Sequence, residues 1–121
     1  MFTLAVKTHI DSAHYLPGYK GKCSKVHGHR WEITVFIQSP DLNESDMVID
    51  FNMVKDRLKE VCPDHILLND IMSNPTAENM AYWLFRVFAD YFDNERVTVI
   101  AVTVQETPEC CATYSIKLVD G

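Results

Sequence analysis

The sequence predicts an α+β domain: a four-stranded antiparallel sheet with two helices on one face, in the order β-β-α-α-β-β. Three observations carry this. Apolar residues alternate with period two near both ends of the chain, they recur with helical spacing over its middle, and sequential elements are joined by short connections. The chain has 121 residues, 47% hydrophobic and 23% charged, with only 4 glycines and 5 prolines. That is one domain, residues 1–121, long enough to bury a core without disulfide staples and too apolar to be disordered.

Phe2 to Leu16 reads as the first strand, ended by Pro17-Gly18. Residues 17–26 form a polar, basic loop. Trp31, Ile33, Val35 and Ile37 then alternate with Glu32, Thr34, Phe36 and Gln38, a second strand with one drier face. After a turn-rich acidic stretch, Met47-Val48-Ile49 is a short apolar run that would prolong the sheet. Asp50 is placed to cap a helix with apolar residues at Phe51, Val54, Leu58 and Val61, stopped by Pro63. A second helix starts near Asn74-Pro75-Thr76, with Pro75 in its first turn. Its stripe is Ala77, Met80, Ala81, Leu84, Phe85, Phe88, Ala89 and Phe92, and core packing explains it. Strands over Arg96–Glu106 and Ala112–Val119 complete the order. In the first of these Val97, Val99 and Ala101 occupy one face and Ile100, Val102 and Val104 the other. Two helices cover only one face of a sheet, so a second copy of the chain is expected on the other, making a homo-oligomer.

The net charge of −6 argues against a nucleic-acid binder, because phosphate neutralisation dominates that affinity. The charge is uneven: residues 1–30 sum to +4 and residues 31–121 to −10. Lys20, Lys22, Lys25 and Arg30 crowd one stretch with no acid among them. No run approaches the length of a membrane span, and the N-terminus lacks the features of a signal peptide, so a cytoplasmic address is expected. The 4 cysteines include no C-x-x-C pair, and no disulfide framework is expected. Cys62 reads as a small buried hydrophobe, and Cys110-Cys111 receives no chemical role.

The informative segment is Cys23-Ser24-Lys25-Val26-His27-Gly28-His29. Histidines two apart on an extended chain project from one face, which suits two ligands of one divalent ion. Imidazole favours zinc, copper, nickel or iron over magnesium or calcium. His14 could add a third nitrogen, leaving a coordination position open as catalytic zinc sites do. The spacing also admits a chance H-x-H, or a closed structural site with Cys23 as fourth ligand. Alternatively Lys22 and Lys25 favour a reactive Cys23 thiolate.

Asp64 and His65 follow Pro63. As neighbours they are expected to face separate partners, the histidine exchanging a proton with a thiol, or else to lie in a solvated loop. Glu106 ends a strand on an apolar face, where an unpaired carboxylate is costly. It could accept two parallel N–H bonds from a planar edge such as that of guanine or pterin. The alternative is an ion pair with Arg96 or Arg86.

In order and spacing, "IDSAHYLPG", "KCSKVHGHRW", "MVIDF", "PDHILLND", "NPTAENMA" and "VQETP" resemble the 6-pyruvoyltetrahydropterin synthase superfamily. The three residues between Cys23 and His27 are similar to the bacterial 6-carboxy-5,6,7,8-tetrahydropterin synthases of queuosine biosynthesis. The resemblance implies the tunnelling fold, assembled into a trimeric barrel or a hexamer. It implies Zn2+ on His14, His27 and His29, with Cys23 as general base or acid and Asp64 and His65 as its proton relay. Glu106 would anchor the pterin, with Thr107 and the Thr76 region as lesser contacts, and Lys22 and Lys25, with Lys20 or Arg30, would meet the triphosphate. The implied reaction takes 7,8-dihydroneopterin triphosphate to 6-carboxytetrahydropterin, releasing acetaldehyde and triphosphate. The chain departs from the pattern at Tyr15, where relatives commonly carry arginine, and at Ser115, where a basic residue is frequent.

Overall fold

A computed structural model of the chain describes residues 1–117. Strands β1 (Phe2–His14) and β2 (His27–Ser39) precede helices α1 (Phe51–Val61) and α2 (Ala77–Phe92), and strands β3 (Thr98–Thr107) and β4 (Cys110–Ser115) follow. The strands pair antiparallel in the order β1-β2-β3-β4, so sheet neighbours are sequence neighbours. Single-turn 3-10 helices at Lys22–Ser24 and Leu68–Asp70 interrupt the loops. Among the described residues no helix is long and apolar enough to cross a membrane.

Alternation sorts the faces. Trp31, Ile33, Val35 and Ile37 of β2 are fully buried, as are Val54 and Leu58 of α1 and Met80, Ala81, Leu84 and Phe88 of α2. Together they form one core between the sheet and the two helices. The Asp50 carboxylate accepts from Asn52 N at 2.8 Å and caps α1. Thr76 Oγ1 accepts from Asn79 N at 3.1 Å and caps α2, so Pro75 precedes the cap instead of entering the first turn.

Several expectations need correction. Phe51 is 55% exposed, because a side chain at the first helical position leans back past the helix end. Met47-Val48-Ile49 do not join the sheet. Val48 is buried, and its carbonyl accepts from Arg96 Nη2, while Arg96 Nη1 donates to Ser39 Oγ at 3.1 Å. Strand β1 stops at His14 because the Asn69 side chain takes both main-chain groups of Tyr15, each at 2.9 Å. The last strand starts at Cys110 and ends at Ser115, and the expected Leu118 and Val119 lie outside the described residues.

The doubly apolar third strand has a local cause. Ile37 opposes Val99 but Phe36 opposes Ala101, so Ile100 is an extra residue in a β-bulge. The bulge shifts the phase of β3. Val99 before it and Val102 and Val104 after it oppose Ile37, Val35 and Ile33, all on the helix-covered face. The argument from two apolar faces to a second copy of the chain therefore falls.

Replacing Asp50 with Ala removes the α1 cap and should cost about 1 kcal/mol of stability. A urea unfolding midpoint equal to that of the parent chain would contradict this role.

Candidate metal centre

The last rung of the β1–β2 ladder pairs His14 with His27, and Ser12 pairs with His29. Odd-numbered residues of β2 face the core, so His27 and His29 prolong the row that begins with Trp31. The Trp31 ring packs nearly perpendicular to His14 and His29, at centroid distances of 4.8 and 5.3 Å. Its indole N–H donates to Ser12 O at 3.0 Å, which gives the histidines a rigid apolar floor. A Cβ at Gly28 would meet no atom within 4 Å, so open space lies on the face of β2 opposite the two histidines.

Two main-chain carbonyls set the tautomers. His14 Nδ1 lies 2.8 Å from Pro75 O, and His27 Nδ1 lies 2.7 Å from Lys25 O. A carbonyl only accepts, so each Nδ1 carries the proton and each neutral ring turns an Nε2 lone pair inward. Those two Nε2 atoms are 3.0 Å apart. Glu106 Oε1 lies 3.1 Å from His14 Nε2 and 3.3 Å from His29 Nε2. His29 Nε2 is itself buried with no hydrogen-bond partner. Lone pairs that converge without an intervening donor repel, and a cation resolves the conflict.

His14, His27, His29 and Glu106 offer four ligand atoms within 4.8 Å of one another. Nitrogens ~2.0–2.1 Å from a tetrahedral zinc would lie roughly 3.3 Å apart, close to the spacing found here. The residues therefore fit a divalent metal, and imidazole-rich sites suit zinc. Cys23 is not part of this group, so the closed site with a thiolate as fourth ligand is not formed. Glu106 is also not paired with arginine. Arg96 is bonded to Ser39 and Val48, and Arg86 lies over the Tyr82 ring. Glu106 borders an open pocket of about 640 Å³, shared with His29, Arg30, Gln105 and Thr107, and a smaller one of about 250 Å³ beside Glu78 and Cys110.

Other candidate residues sit around this centre. Cys23 lies half-buried in the 3-10 turn between exposed Lys22 and Ser24, with exposed Lys25 next, and its thiol makes no hydrogen bond among the described residues. Asp64 and His65 do pair with each other, contrary to expectation: Asp64 Oδ2 meets His65 Nδ1 at 2.9 Å. A left-handed backbone at His65, φ 57°, folds the ring back onto its neighbour. Asp11 N donates to Asp64 Oδ1 at 2.8 Å, and this bond, followed by His65, holds the Asp64 carboxyl below its ordinary range. Arg30 grips the Asp11 carboxylate at 3.0 and 3.2 Å, so its guanidinium is already engaged. The Thr76 hydroxyl accepts the cap bond from Asn79 N, which uses none of its donor capacity. Cys62 is a buried hydrophobe, as expected, its thiol pushed up to about 12 by burial and then by Asp64. Sequence reasoning missed the carbonyls of Pro75 and Lys25, because a main-chain acceptor leaves no signal in side-chain identity.

Burial pushes the His29 imidazole below its ordinary value of 6.5, against the pull of Glu106, and so favours the neutral, ligating form. A depressed histidine makes the unfolded chain the better proton acceptor between the two values. Its stabilising contribution is complete above pH 6.5 and fades as pH falls through the folded-state value. Metal-free protein should lose urea resistance below pH 6.5, with a shallower slope in His29→Gln. Identical slopes for the two chains would refute this.

The 6-pyruvoyl tetrahydropterin synthase family model matches residues 3–117. The 6-carboxy-5,6,7,8-tetrahydropterin synthase of Bacillus subtilis is 32% identical, the match covering 96% of this chain and 86% of the relative. The enzyme of the same name from Rickettsia bellii is 29% identical over 84% of this chain and 91% of its own length. The structure of Caenorhabditis elegans 6-pyruvoyl tetrahydropterin synthase superposes with a TM-score of 0.83 at 25% identity, covering 96% of both chains. With its sheet, helices and convergent histidines, the chain belongs to the 6-pyruvoyl tetrahydropterin synthase family.

Proposed function

We propose that the protein is a zinc-dependent lyase converting 7,8-dihydroneopterin triphosphate to 6-carboxy-5,6,7,8-tetrahydropterin, with release of acetaldehyde and triphosphate, in queuosine biosynthesis. The observation that carries this is the convergence of one ring nitrogen each from His14, His27 and His29 beside Glu106, next to a cationic loop bearing a free thiol. The bacterial relatives named as 6-carboxy-5,6,7,8-tetrahydropterin synthases support this choice of product.

Bound zinc supplies Lewis acidity to the oxygens of the substrate side chain. Cys23 moves protons between side-chain carbons as general base and then acid, and the Asp64–His65 pair relays them. The Asp64 carboxylate holds the proton on His65 Nδ1, which leaves Nε2 as the exchanging nitrogen. Glu106 accepts the paired N–H groups of the pterin ring and fixes its orientation, with Thr107 at the pocket wall. With Arg30 engaged by Asp11, the cations left to meet the triphosphate are Lys22 and Lys25, with Lys20.

Within one chain Cys23 makes no hydrogen bond to Asp64 or His65. We infer that they meet across copies in a trimer or hexamer, at a site shared between chains. Cys23→Ala, which lacks turnover, and His65→Ala, which keeps a small residual rate, should then recover part of the parental turnover when unfolded and reassembled together. No recovery from properly assembled mixtures would place the relay within one chain.

Metal-loaded protein given dihydroneopterin triphosphate should yield acetaldehyde and the 6-carboxy product by mass spectrometry. A 6-pyruvoyl product would instead favour the chemistry of the Caenorhabditis elegans relative. Turnover should vanish in both His27→Ala and Cys23→Ala, but only His27→Ala should lose its metal. Normal pterin binding by Cys23→Ala, with no turnover in the parent chain, would point to a non-catalytic binder.

A further inference from the structure

We propose that Ser12 is a positioning residue for the Asp64–His65 pair, coupling it to the metal centre through strand β1. This rests on the proton-relay role given to that pair above. Ser12 is only 5% exposed and its hydroxyl is bonded on both sides of the pair. Oγ donates to Pro63 O at 2.6 Å and accepts from Ile66 N at 3.3 Å, so one atom bridges the residues immediately before and after Asp64 and His65. The flanking main chain completes the clamp. His65 N donates to Asp11 O at 2.8 Å, and Ala13 N donates to Ile66 O at 3.0 Å.

The clamp matters because the segment it holds is strained. His65 occupies the left-handed region at φ 57° without being glycine, and its ring meets Asp64 only while that turn is kept. The pair is exposed, so packing does not hold it in place. The other side of Ser12 faces the histidines: its carbonyl accepts from Trp31, whose ring underlies His14 and His29, and His14 is two residues further along β1. One buried residue thus ties the floor of the metal centre to the loop that carries the relay. Without the hydroxyl, Pro63 O and Ile66 N lose their shared partner and the turn can relax.

The test compares Ser12→Ala, Ser12→Cys and Ser12→Thr in the zinc-loaded, full-length protein, using turnover of dihydroneopterin triphosphate and amide hydrogen exchange. Removing the hydroxyl should lower kcat on the order of 10²-fold, the scale of a misplaced catalytic group, and leave KM and bound zinc unchanged. Ser12→Cys keeps the volume and should behave like Ser12→Ala even if the alanine chain folds poorly. Ser12→Thr keeps the hydroxyl and should restore most of the rate. In a His65→Ala background, Ser12→Ala should cost no more than about 2-fold further, as expected for residues acting as one unit. Exchange at His65 and Ile66 should quicken in the alanine and cysteine chains. Parental kcat in Ser12→Ala, fully multiplicative losses in the double variant, or a threonine chain as poor as the alanine chain would overturn the proposal. A parent chain that binds zinc but releases no acetaldehyde defeats the lyase reading and the catalytic role with it. Exchange at His65 and Ile66 then still decides whether Ser12 pins the loop.

Discussion

The register between the end of β1 and the start of β2 governs everything else at this site. Thirteen-residue strands run the full ladder from Phe2 opposite Ser39 to His14 opposite His27. Because side chains alternate strictly, a slip of one residue would turn His27 and His29 to the opposite face, away from His14. What holds the register is the apolar row Trp31, Ile33, Val35 and Ile37, which can be buried on one face only. The hydrophobic core therefore specifies the position of the imidazoles, which do little to stabilise the fold themselves.

Once aligned, the imidazoles are placed at a disadvantage. Pro75 O and Lys25 O hold the protons on the outer nitrogens, and burial works against charging His29. The inward lone pairs of His14 and His27, the His29 Nε2 and a carboxylate oxygen then share a small volume, where lone-pair repulsion has no donor to relieve it. This arrangement is costly for the bare chain and favourable around a cation, so metal binding and folding are thermodynamically linked. The two carbonyls come from different parts of the chain, one just before α2 and one just before β2. Each is held by local structure that was in place for other reasons, namely the α2 cap and the end of the basic loop.

Charge is distributed to match. The +4 of residues 1–30 is concentrated in the loop leading to the histidines, while the acidic excess lies elsewhere. Part of the basic charge is structural, since Arg30 is consumed by Asp11 and the remaining lysines stay exposed. Strand β1 is used on both edges near its end, by β2 on one side and by residues 63–67 on the other. The relay loop and the metal centre thus share one rigid element, and neither needs a long-range conformational coupling to stay in step.

From sequence alone, period-two and period-3.6 patterns located both helices and all four strands, because burial of one face is a local demand that each segment must meet. The H-x-H spacing, with His14 closing the preceding strand, placed three imidazoles together, because antiparallel pairing of neighbouring strands is the simplest topology. Tertiary structure alone decided the rest. The bulge at Ile100 turned an apparent two-faced strand into a one-faced one, since a single extra residue reverses alternation without leaving a mark in composition. The pairing of Asp64 with its neighbour His65 required a left-handed turn that only docking against β1 maintains. Glu106, not Cys23, is the side chain that lies against the histidines, because which group can reach them is set by which strands lie adjacent in space.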